Sequence, residues 1–261
     1  MTPTSGTPAG TWAPSPGAAS GLAMLRAQTR LELRLGARNG EQLLLTLIIP
    51  VVLLVGLGTV RVLDLGAGAR IDVVTPGILA LAVMSTAFTG QAIATGFERR
   101  YGALKLLGTT PLSRGRLLLA KTLAVLVVEA VQVVLLGSVA LLLGWSPHGS
   151  PAAALLLLLA GTLAFSALGL LLAGVLRAEA TLAVANGVYV LLLLGGGVVI
   201  PLALLPEWLA RLDALLPSGA LAEGLREVLL AGEPLPWSRL AVLLVWAVAA
   251  GLAASATFRW E

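Results

Sequence analysis

The chain has 261 residues, 58% of them hydrophobic and only 11% charged, with a formal net charge of +4 and a mean hydropathy of +0.97. Soluble domains carry roughly 25% charged residues, so this composition excludes an ordinary soluble domain and indicates an integral membrane protein. Without cysteine there are no disulfides or thiolate metal sites, and a single histidine, His148, rules out two-histidine zinc motifs such as HExxH.

Residues 2–20 are Thr, Pro, Ser, Gly and Ala with one Trp. They lack the basic start and apolar run of a secretory signal, and residues 1–21 are expected to form a disordered tail. Residues 22–38 then read LAMLRAQTRLELRLGAR, with Arg26, Arg30, Arg34 and Arg38 recurring every four residues. At about 100° per residue they fill one sector, opposite Met24, Leu25, Leu31 and Leu35. This predicts an amphipathic helix over residues 22–40, lying on the inner leaflet with Arg against anionic headgroups. The plainer reading is a basic juxtamembrane anchor, and the two are compatible.

Six apolar runs follow, at 43–63, 75–97, 117–145, 151–176, 180–205 and 240–258. Each supplies about the 20 residues needed to cross a bilayer as a helix. They are long and mostly uncharged, which favours helices over alternating barrel strands. The predicted fold is therefore an all-α membrane protein of six transmembrane helices, with Pro50 expected to kink the first. An even number places both termini on one side. Twelve Lys and Arg residues fall on that side and five on the other, so the termini are expected in the cytoplasm. Fifteen Arg against two Lys suggest a GC-rich bacterial genome.

The polar interruption at 97–121, FERRYGALKLLGTTPLSRGRLLLAK, carries seven of the thirty charges: Glu98, Arg99, Arg100, Lys105, Arg114, Arg116 and Lys121. So charged a segment must lie in water. Gly102 and Gly108 bracket a short helical piece with Leu104 and Leu107 on one side, and Thr110-Pro111 suit the N-cap and first position of the next helix. Such a helix between two spans is fitted to transmit push or pull from a soluble partner, although it also reads as a plain connector. Residues 115–122, GRLLLAKT, approximate a phosphate-binding loop with Ala120 in place of the second Gly. That motif needs a strand before it and a flexible turn, so nucleotide binding here is rejected.

Glu129 lies inside the third run, roughly 12 Å deeper than Lys121 at 1.5 Å per residue. Gln132 is close to the same face, and Gln91, Thr95 and Asn186 are candidates for a shared polar lining. Two readings stand: a substrate or ion pathway, or an interhelical clamp with Glu129 protonated. Residues 206–234 read as two short amphipathic helices. Trp208, Leu212 and Leu215 share one face, and Leu221, Leu225 and Leu229 another, joined by Pro217-Ser218-Gly219. They either dip into the outer leaflet or rest on it. Gly161, Gly169 and Gly174, Gly195, Gly196 and Gly197, and Ala250, Gly251 and Ala254 mark packing seams. His148 is read as solvated.

Taken together, these residues resemble the permease subunit of ABC-2 type transporters, over about 22–260. The segment between the second and third runs of that family typically reads Glu-Arg-Glu-x-Gly-Thr-Leu, then Leu, then Thr-Pro-x-Ser-Arg and a later Gly-Lys. The matches are Glu98, Arg99, Gly102, Leu104, Leu107, Thr110, Pro111, Ser113, Arg114 and Lys121. Arg100 stands in place of the second acid, Ala103 of the Thr and Ala120 of the Gly. The resemblance implies a six-helix domain over 41–261, an interface helix, a cytoplasmic coupling helix and an outer re-entrant hairpin.

It also implies an exporter of drugs, antibiotics or lipid-like molecules in a bacterial plasma membrane, assembled from two permease copies or a permease and a paralogue. No cofactor is expected on this chain, ATP and Mg being held by separate ABC ATPase subunits. Partners would be those subunits and membrane lipid, not nucleic acid. Coupling would be carried by Glu98, Arg99, Arg100, Gly102, Leu104, Leu107, Pro111 and Arg114, and Glu129, Gln132, Gln91 and Asn186 remain pathway candidates. Rival readings are a proton-coupled transporter using Glu129 and a non-transporting scaffold for an ATPase. An enzyme is disfavoured, because paired intramembrane acids, a GxSxG elbow, Cys and a His cluster are all lacking.

Overall fold

The computed structural model describes residues 19–60, 70–197 and 213–258. Among these, all regular structure is helical. Residues 1–18 of the tail predicted over 1–21, the C-terminal ends of the first and fifth runs, and the predicted helix carrying Trp208 and Leu212 lie outside the described residues. In chain order the helices are α1 (Gly21–Arg38), α2 (Gly40–Thr59), α3 (Arg70–Val83), a π-helical stretch (Met84–Gly90), α4 (Gln91–Arg100), α5 (Ala103–Leu107), α6 (Arg114–Leu142), α7 (Pro151–Val175), α8 (Ala178–Gly195), α9 (Pro217–Leu229) and α10 (Trp237–Thr257).

Among the described residues five helices are long and apolar enough to cross a membrane, and α1 with α2, bent by 71°, brings the number to six where the pair counts as one span. α2 runs through Pro50 without interruption. Local chemistry sets several starts. Ser20, Ser113 and Ser150 each accept a backbone N–H three residues on, at the heads of α1, α6 and α7. α6 therefore begins at Arg114 rather than after Thr110. The Thr110 hydroxyl donates instead to the Leu107 carbonyl (2.6 Å) and closes α5. Gly102 enters α5 with φ +76°, a left-handed conformation that glycine adopts without strain.

α3, the π stretch and α4 form one continuous helix, Arg70–Arg100. In its most apolar window 83% of residues are buried, against 17–22% for α6, α8 and α10, so this second span is the central post and the others surround it. α7 is its closest companion. A Cβ on Gly169 would stand 2.7 Å from the Phe88 carbonyl oxygen and 3.1 Å from that of Ala87. The missing side chain lets α7 lie directly on the π-helical backbone. Phe88 and Phe165 meet beside it, ring centroids 6.5 Å apart. Gly161 receives Leu221 of α9, and Gly174 receives Phe258, so the three glycines of α7 serve three different neighbours.

At the opposite end of the bundle from α5, α9 is enclosed by α3, α7 and α10, and of its residues only Glu223 and Glu227 are partly exposed. It is held within the bundle. Arg226 bonds the Gly197 carbonyl (2.6 Å) and pairs with Glu223, while Arg239 pairs with Glu227 (3.2 Å). Asp213 is fully buried, and neither carboxylate oxygen has a partner. Burial, reinforced by the charge of Glu223 and opposed by Arg239 and Arg226, pushes this carboxyl up from 3.8 to about 6.

Gly169→Ala should lower the melting temperature of the purified protein through overpacking of about 1–3 kcal/mol. Gly137→Ala, where a Cβ meets open space, should leave it unchanged or raise it. Because Asp213 sits above its ordinary value, its protonated form stabilises the fold in acid, and that stability is lost as pH rises through about 6. The wild type should thus melt higher at about pH 5 than at about pH 8, and Asp213→Asn should raise the value at the higher pH and flatten the difference.

Candidate functional site

The C-terminal end of the second span, where α4 closes, is a charged hub. Three consecutive residues closing α4 reach three different directions. Glu98 accepts a hydrogen bond from Lys121 of α6 (2.6 Å). The same ammonium donates to Glu32 of α1 (2.9 Å), whose other oxygen accepts from Gln28 (2.8 Å). Lys121 is only 4% exposed, so its charge is compensated by two carboxylates rather than by water. Arg99 donates to the Gly174 carbonyl (2.9 Å) and to that of Leu176. These carbonyls close α7, where a cation is favoured by the helix dipole. Arg100 pairs with Glu179 in the first turn of α8, an exposed pair of small energetic weight.

Below the hub, α5 is anchored by Leu104, which is fully buried among Leu112, Leu117, Leu118, Leu170, Ala254 and Phe258, with Leu107 packed at the edge. Tyr101 (76% exposed) and Leu106 (71%) project from the segment, with Lys105, Pro111 and Arg114 also exposed. The Tyr101 ring stacks on Phe97. Of the sequence-derived coupling residues, Glu98, Arg99 and Leu104 thus face inward, Gly102 and Leu107 are partly buried, and Arg100, Pro111 and Arg114 are exposed. Reading the sequence missed Glu32, Tyr101 and Leu106. Glu32 had a visible signal, as the one acid among the arginines of α1. An exposed leucine in a charged loop carries no such mark.

Four of the intramembrane candidates fall in one interior belt, with Asn186 apart. Gln132 donates to the Thr46 carbonyl of α2 (2.9 Å) and accepts from Thr86 of the π stretch (3.1 Å). Glu129 contacts Thr162 of α7. Gln91 accepts from Ser166, one turn further along α7 (2.8 Å), and Thr95 is buried one turn beyond Gln91. The belt links α2, α4, α6, α7 and the π stretch inside one protomer, as an interhelical clamp does. Asn186 does not join it. It is exposed on α8 and bonds its own Leu182 carbonyl (2.9 Å). Residues 115–122 form the first turns of α6, not a loop.

Residues 25–230 match the model of the family described as ABC-2 type transporter. The chain is similar to a Bacillus subtilis (strain 168) protein named "Putative transport permease YvfS", 32% identical over 89 residues, or 34% of this chain and 36% of that one. The aligned region thus spans about a third of that relative. With its helical spans and a family match running from α1 through α9, this chain belongs to the ABC-2 type transporter family, as a membrane-spanning permease.

Proposed function

We propose that this permease is the transmembrane half of an exporter whose energy comes from a separate ABC ATPase. Its cargo is hydrophobic or amphipathic, of drug, antibiotic or lipid-like class. The observation that carries this reading is the hub at Glu98, Arg99 and Arg100. It joins one short cytoplasmic helix to the inner ends of α1, α6, α7 and α8. A force applied at α5 has a short, stiff route into the whole bundle.

In this reading the ATPase grips the exposed knob of Tyr101, Leu106 and Lys105, while Leu104 keys the knob to the protein. Glu98 and Arg99 transmit and do not touch the partner. ATP and Mg sit on the ATPase subunits. Two permease copies, or this chain and a paralogue, form the pathway between them, and Asn186 on the exposed face of α8 is the polar residue placed to meet it. The spans are apolar enough that an uncharged or amphipathic cargo crosses at lower cost than a highly charged one. The arginine row of α1 lies exposed and suits anionic lipid of the inner leaflet. The membrane is the bacterial plasma membrane, with both termini cytoplasmic.

The direct test is purification of the tagged chain from its native membrane in mild detergent. An ABC ATPase should accompany it in comparable amount, and its turnover in proteoliposomes should rise with added cargo. Loss of the ATPase even after gentle crosslinking would sink the reading. Leu106→Asp should abolish that association without changing the melting temperature of the permease. Lys121→Met leaves two carboxylates uncompensated, so it should destabilise the permease by about 3–5 kcal/mol and lower its melting temperature.

A further inference from the structure

The interior belt holds more buried polar atoms than it has partners for. Glu129, Gln91 and Thr95 are each at least 94% buried. Yet Glu129 Oε1, Gln91 Nε2 and Thr95 Oγ1 have no hydrogen-bond partner. Unpaired polar atoms are costly where no water reaches, so natural proteins satisfy such groups with bound water when the site is polar and roomy enough.

The residues that hold two of these side chains lie one turn apart on α7. Thr162 holds Glu129, and Ser166, one turn along α7, holds Gln91. One helical turn is about 5.4 Å, close to the span of one water making two hydrogen bonds of about 2.8 Å. The missing partners are complementary, since Gln91 Nε2 is a donor and water both donates and accepts. Thr95 continues the row one turn nearer the cytoplasm. Three residues further stands Glu98, 24% exposed in its pair with Lys121. The row therefore leads from Glu129 to the hub.

The hydroxyl of Thr162 adds a constraint. It has a single proton, and its oxygen lies 2.8 Å from the Leu158 carbonyl, which can only accept. When that proton is given to the Leu158 carbonyl, the proton shared between Thr162 and Glu129 comes from the carboxyl. We propose that Glu129 is a neutral carboxylic acid donating to Thr162, and that ordered water joins its free oxygen, through Gln91 and Thr95, to the cytoplasmic end of the protomer. The ligand of this site is water. Because bound water exchanges partners readily, α4 can shift against α7 without stranding polar atoms in hydrocarbon.

The test is infrared difference spectroscopy of the full chain in lipid nanodiscs, with deuterium oxide as the probe. The wild type should show a protonated-carboxyl band that is absent in Glu129→Gln. That band should move to lower frequency promptly on transfer to deuterium oxide. Thr162→Val should shift it to higher frequency, which assigns the band even if Glu129→Gln fails to insert. Thr95→Val should keep the band in place but slow its deuterium shift. Carboxylate bands alone, or a protonated band unshifted after hours in deuterium oxide, would overturn the proposal. Unchanged exchange in Thr95→Val would overturn the cytoplasmic route.

Discussion

One constraint organises this protein: inside a bilayer, every polar group needs a partner supplied by the protein or by trapped water. The apolar surfaces of α6, α8 and α10 meet it by carrying few polar groups. The second span meets it differently. It is the most enclosed of the spans, and its polar side chains are spent on neighbours. Thr86 reaches Gln132, Gln91 reaches Ser166, and Glu98 reaches Lys121. The helices around it are thereby indexed, since each bond fixes one neighbour's height and rotation against the post.

The same logic explains how a buried lysine is tolerated where α4 ends. An isolated ammonium there would be costly to desolvate, and a pair with one carboxylate only partly offsets that cost. Lys121 has two, drawn from α1 and α4. The amphipathic helix is thus tied to the second and third spans by charge as well as by apolar contact. Arg99 extends the tie to α7 by satisfying carbonyls left open at that helix's end. The Glu-Arg-Arg sequence works as a junction because successive residues at a helix end point about 100° apart.

Close packing does the remaining work. Gly161, Gly169 and Gly174 sit on one helix yet receive a leucine, a backbone and a phenylalanine. The approach at Gly169 falls where the second span widens into a π turn, a local form often found at functional sites. A wider helix presents carbonyls that an ordinary side chain would collide with, and glycine removes the collision. Elsewhere α9 is enclosed with ion pairs along its C-terminal half, and the buried Asp213 carboxyl has no hydrogen-bond partner among the described residues.

The sequence by itself determined the membrane class, the approximate placing of the helical runs, the polar break at 97–121 with its short helix between Gly102 and Gly108, and the buried position of Glu129. Each follows from local facts: composition, run length, glycine punctuation and the cost of a charge in hydrocarbon. What it left open was direction. Glu98 and Arg99 read as surface charges suited to a partner, and only the folded chain turned them inward onto Lys121 and the end of α7, 23 and 75 residues away. Asn186 looked equivalent to Gln91, but the rotation of α8 left it exposed while α4 enclosed the other. Which way a residue faces depends on which helices surround it, and no periodicity within a single helix encodes that arrangement.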